Sequence, residues 1–104
     1  MNLSIDVHQN NDEVSVMLAG EIDAFTAPNL REELLPIAEG KNTTMTINLK
    51  DVSYLDSTGL GVFVGLFKKL KENGGELRLI ELSDRLKRLF EITGLGNIMN
   101  ISAN

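Results

Sequence analysis

The chain has 104 residues, a length that fits one domain over 1–104 with a core large enough to stand without disulfides or metal. Apolar residues make up 42% and charged residues 24%; the absence of cysteine and the single histidine exclude thiolate zinc sites, cysteine nucleophiles and a histidine pair for a metal. Ten Lys and Arg stand against fifteen Asp and Glu, and this net charge of −5, with four Phe, one Tyr and no Trp, argues against direct binding of nucleic acid.

Leu3, Ile5 and Val7 alternate with polar residues, and Val14, Val16 and Leu18 do so again after the turn signal at 10–13, which predicts an antiparallel β-hairpin. A helix is expected next, with Thr26 as its N-cap, Pro28 in its first turn, Leu30, Leu34 and Ile37 on one face, and Gly40 as its stop. Pro36 should kink its last turn or end it early. Met45, Ile47 and Leu49 predict a strand, and residues 51–55 an extended connection to a second helix from Asp56. Leu60, Phe63, Phe67 and Leu70 form the stripe of that helix, with Val62, Val64 and Leu66 widening it, so it should be central and mostly buried. Lys68, Lys69 and Lys71 lie where the helix dipole favours cations, and Asn73, Gly74 and Gly75 stop the helix.

Leu77 and Leu79, with Ile80 as a further candidate, predict another strand. Ser83 caps a third helix that carries Leu86, Leu89 and Phe90 inward and ends at Gly94. The tail from Leu95 is open between an edge strand and a last helical turn. Met17, Met45 and Met99 read as core gap fillers, and His8 as an exposed surface residue. The order β-β-α-β-α-β-α implies a mixed α/β fold.

The segment that stands out is DSTGLG, residues 56–61. Hydroxyls at a helix start lie beside unpaired backbone N–H groups, which suits an anion, and Gly59 and Gly61 permit close approach of a phosphate or a partner's backbone. The competing structural reading is that Asp56 or Ser57 simply caps the helix and the glycines allow tight packing on the sheet. The spacing matches neither a phosphate-binding P-loop, for want of the Lys, nor a dinucleotide fingerprint. Asp23, close after the second strand, reads as a solvated turn residue or a contributor to the N-terminal electrostatics of the following helix, or else as the acidic edge of a partner surface. An enzyme using Ser57 as nucleophile or Asp56 as phosphoacceptor is disfavoured: His8 has no identifiable orienting partner, and no acidic pair follows the first strand.

DVSYLDSTGLGVFVGLFK, with GEIDAFTAPNLREEL upstream and LFEITGL downstream, resembles the STAS family, and within it the bacterial anti-sigma factor antagonists of the general stress-response type. The resemblance runs over essentially the whole chain. It implies a single STAS domain: a mixed β-sheet with an N-terminal antiparallel hairpin and helices packed against it. It also implies a small cytoplasmic protein, not an enzyme and without cofactor, that binds an anti-sigma factor serine kinase and so releases a sigma factor. By the same resemblance Ser57 is the phosphorylated residue, a serine phosphatase restores the active form, and the partner surface comprises Asp23, Asp56, Ser57, Thr58, Gly59, Leu60 and Gly61. No membrane contact is expected, since no apolar run reaches the roughly 20 residues of a span and the start MNLSIDV has no leader pattern. The alternative within the family is a STAS subunit of another assembly, such as a transport complex.

Overall fold

The structure, a computed structural model, describes residues 2–97 and 100–101. Strands β1 (Leu3–Asn10) and β2 (Glu13–Ile22) form the hairpin. Helix α1 (Ala27–Ala38), strand β3 (Thr44–Leu55), helix α2 (Ser57–Glu72), strand β4 (Glu76–Ile80) and helix α3 (Asp84–Ile92) follow in the expected order. The tail contains both of the forms left open for it: a 3-10 turn at Leu95–Asn97 and a two-residue strand β5, Asn100–Ile101. The sheet order is β1-β2-β3-β4-β5, with the first pair antiparallel and the rest parallel. Met99 lies outside the described residues.

Side-chain alternation decides which face of this sheet is covered. Val14 and Val16 of β2 register with Met45 and Ile47 of β3, and these with Leu77 and Leu79 of β4; all are buried with Leu18 in one core with Leu30, Leu34, Phe63, Leu66, Leu86 and Phe90 from the helices. The intervening residues point the other way. Met17 is therefore a correction to the expected core: it stands between Val16 and Leu18, shares its face with Asp6 and Asn48, and is 40% exposed. Parallel strands usually read as continuous apolar runs because helices cover both faces; here the helices cover one, so the alternation survives.

Two expectations for α1 need revision. Pro36 does not end the helix, which continues to Ala38. It sits in the last turn with its ring exposed, where only one helical bond is lost, and the Glu39 N–H still reaches the Leu35 carbonyl at 3.2 Å. Thr26 precedes the helix but its side chain caps nothing there; the hydroxyl is used in the preceding turn, described below. Helices α2 and α3 start and stop as expected. Asp56 and Ser83 are their side-chain caps, and Gly74 (φ 79°) and Gly94 (φ 77°) take the left-handed conformation after their C-termini. Helix α2 is not mostly buried, however: Leu60, Phe63, Leu66 and Leu70 seat it on the core, while Ser57, Thr58, Gly61 and Gly65 are exposed because nothing among the described residues covers its outer side. Phe63 of α2 and Phe90 of α3 meet with ring centroids 6.2 Å apart.

The glycines of α2 divide into two kinds. A Cβ on Gly59 would run into Leu55 Cδ1 and lie 2.6 Å from Ile22 Cγ2, whereas Gly61 and Gly65 have open space above them. Gly65→Ala should therefore stabilise the domain by up to about 1 kcal/mol through helix propensity. Gly59→Ala should destabilise it by about 1–3 kcal/mol through overpacking against a buried Ile. Thermal melts of the two variants are expected to move in opposite directions.

Candidate functional site

Ile22 and Leu55, the last residues of β2 and β3, are register partners, so the loops after these parallel strands emerge side by side. Neighbouring strands lie about 4.8 Å apart. The Asp56 N–H donates to the Ile22 carbonyl at 3.3 Å and ties the start of α2 to the β2–α1 turn. This brings together Asp23 and the 56–61 segment, two regions more than thirty residues apart in the chain.

Within the turn, Asp23 and Thr26 hold each other. The Asp23 N–H donates to Thr26 Oγ1 (2.9 Å), and the Thr26 N–H donates to Asp23 Oδ1 (3.0 Å), the reciprocal pattern of a capping box. Asp23 Oδ1 also accepts from the Phe25 N–H at 2.9 Å, and the Thr26 hydroxyl donates to the Glu21 carbonyl at 2.8 Å. Asp23 is 5% exposed, so it is neither a solvated turn residue nor a charge at the surface. Its second oxygen, Oδ2, is buried without a hydrogen-bond partner among the described residues.

At the head of α2, Asp56 adopts an extended conformation and its Oδ1 accepts from the N–H groups of Thr58 (3.0 Å) and Gly59 (3.3 Å). The Leu60 N–H closes the first helical bond to the Asp56 carbonyl. Ser57 is thus the first helical residue, exposed, with its hydroxyl outside the cap. The cap is Asp56, so the structural reading of that residue holds and leaves Ser57 free for another use.

Helical geometry sorts the remaining site residues. Ser57, Thr58 and Gly61 are exposed, while Gly59 is packed on Leu55 and Ile22, and Leu60 is 6% exposed within the core. In the free domain Gly59 and Leu60 offer no surface to a partner; they seat the helix. Alongside, an open groove of about 860 Å³ runs between α1 and α2, bounded by Pro28, Arg31 and Leu35 on one side and Thr58, Gly61 and Gly65 on the other. Sequence reasoning passed over Gly65 and Phe25. The available signal was an apolar Phe in a turn, off any helical period.

His8 is exposed, with its Nε2 3.2 Å from Asp6 Oδ2, and registers with Ser15 near the hairpin turn. Ser57 follows the opposite ends of the strands, roughly 20 Å away at about 3.3 Å per residue along β2. His8 cannot serve Ser57 as a base. Among the described residues no group of three or more His, Cys, Asp or Glu is arranged to hold a metal ion, and no helix is long and apolar enough to cross a membrane.

Residues 4–104 match the STAS domain family, and the chain belongs to that family. The chain is 58% identical over 103 residues to the anti-sigma-B factor antagonist of Bacillus subtilis, an alignment covering 99% of this chain and 94% of that protein. It is 44% identical over 102 residues to the Staphylococcus aureus protein of the same name, covering 98% and 94%. An anti-sigma factor antagonist from Mycobacterium paratuberculosis has the same fold, with a TM-score of 0.87 at 23% identity over 99% of this chain and 87% of that one.

Proposed function

We propose that the chain is an anti-sigma factor antagonist: a regulatory binding protein that, with Ser57 unmodified, occupies an anti-sigma factor and thereby frees a sigma factor. The observation that carries this reading is Ser57 itself, exposed at the head of α2 beside the uncharged surface of Thr58 and Gly61, in a chain similar over its whole length to proteins of that name. The small residues Thr58 and Gly61 let a partner's backbone come close at the head of α2.

The partner is a serine kinase that docks on this surface and phosphorylates what it has bound. The Ser57 oxygen forms a bond to the γ-phosphorus of ATP, the bond to the departing ADP oxygen breaks, and the hydroxyl proton leaves to a base of the kinase. Nucleotide and magnesium belong to the kinase, and this chain is substrate and ligand rather than enzyme, acting in the cytoplasm. A serine phosphatase reverses the modification. Phosphate adds about −1.5 to −2 charges next to Asp56. At an interface that charge is repelled and has to be desolvated, so the switch is local and needs no change of fold.

The test is intact-mass and peptide-mapping mass spectrometry after incubation with Mg-ATP and the kinase-type anti-sigma factor of the same genome. A single phosphate on Ser57, absent without the kinase, is expected; no phosphate from a kinase proven active on another antagonist would refute the reading. Docking has its own check. Gly61 is exposed with open space above it, so Gly61→Glu should leave the circular dichroism unchanged and raise the Kd for the anti-sigma factor by about tenfold or more, the equivalent of about 1.4 kcal/mol.

A further inference from the structure

Among the exposed large apolar side chains of the described residues, Phe25 is the most open to solvent, at 84%. A single exposed apolar side chain is ordinary. What distinguishes Phe25 is how firmly its backbone is held. Its own N–H is bonded to Asp23 Oδ1, and the flanking bonds between Asp23, Thr26 and Glu21 lie in a turn whose two polar side chains are 5% and 9% exposed. Phe25 is not among the side chains packed against the core. A buried polar network thus fixes a turn that presents an aromatic ring outward.

The turn that carries Phe25 is rooted beside the head of α2, where Ser57 lies. Asp56 is bonded to Ile22 at the root of the turn, and Ala27 and Pro28, directly after it, line the same groove as Thr58 from the opposite side. Aromatic side chains combine large apolar area with few rotatable bonds, and a pre-ordered backbone lowers the entropy lost on docking. We propose that Phe25 is the anchor by which this chain seats on the anti-sigma factor, entering an apolar pocket beside the site that receives Ser57. This rests on the function proposed above and adds the residue that supplies the binding energy. Phe25 acts as a positioning residue: it brings Ser57 to the kinase and takes no part in the transfer.

The experiment uses the full chain and the cognate anti-sigma factor. Phe25→Ala is compared with Ile92→Ala, a second exposed apolar residue (76%) at the end of α3. Phe25→Ala should raise the Kd by at least about 30-fold, as an anchor of about 2 kcal/mol would, and Ile92→Ala by no more than about twofold. The KM for Ser57 phosphorylation should rise with the Kd while kcat holds, and the thermal midpoint should stay at the wild-type value. If the wild-type chain binds and Phe25→Ala binds equally, the anchor is refuted and the function above stands. If the wild-type chain does not bind, both fall. A lowered thermal midpoint in Phe25→Ala makes the residue structural, and wild-type self-association lost in the variant makes a second copy the occupant; either overturns the proposal.

Discussion

Ser57→Asp is expected to abolish binding to the anti-sigma factor, with a Kd raised more than about a hundredfold, the equivalent of about 3 kcal/mol, while Ser57→Ala binds within about twofold of wild type. The free domain should tolerate both changes. Ser57 is exposed, and an acidic side chain in the first helical turn is favoured by the helix dipole, by about 0.3–1 kcal/mol. In the complex the balance reverses. The N–H groups of Thr58 and Gly59 that would greet a new anion are already taken by the Asp56 carboxylate, so a negative charge at 57 meets a like charge one residue away. Covering it with a partner's surface removes its water without supplying new donors. Isothermal titration of the two variants decides the matter. Equal binding by both would take Ser57 out of the interface.

The second large effect concerns stability. Phe63 is fully buried on α2 and contacts Phe90, and Phe63→Ala should cost about 3–5 kcal/mol from lost burial and the cavity left behind. That is a large share of the roughly 5–15 kcal/mol that holds a domain of this size. At about 4–8 °C per kcal/mol, a thermal melt should drop by about 12–40 °C. The partner ring is the control. Phe90→Ala alone should be similarly costly, but the double variant should cost less than the sum, because an aromatic pair is worth about 0.5–1.5 kcal/mol beyond its area. A strictly additive double variant would mean that the contact at 6.2 Å contributes nothing of its own.

The two effects separate the two sides of one helix. Phe63, Leu66 and Leu70 hold α2 on the sheet, and Ser57, Thr58, Gly61 and Gly65 face outward. A loss of stability at the first set and a loss of binding at the second would establish that the domain is a rigid platform for its outward face. The contrast between Gly59 and Gly65 makes the same point within one residue type, since only the first is needed for packing.

Periodicity, with caps and turn signals, was enough for the seven elements from β1 to α3, though not for the tail. Alternation at 3–7 and 14–18 and the stripe from Leu60 to Leu70 depend on which face meets water, a property written locally in the chain. Ser57 stood out by a different route, as a hydroxyl at a helix start in a segment resembling a known family. The tertiary structure decided what local pattern cannot contain. Met17 is apolar, yet its face of the sheet carries no helix. Thr26 has the chemistry of a helix cap, but Asp23 lies within reach in the turn and uses its hydroxyl there. The site itself exists because β2 and β3 pair in parallel and end together, bringing Asp23, Phe25 and Ser57 to one edge. Strand pairing is a long-range choice made by the whole core, and no window of neighbouring residues specifies it.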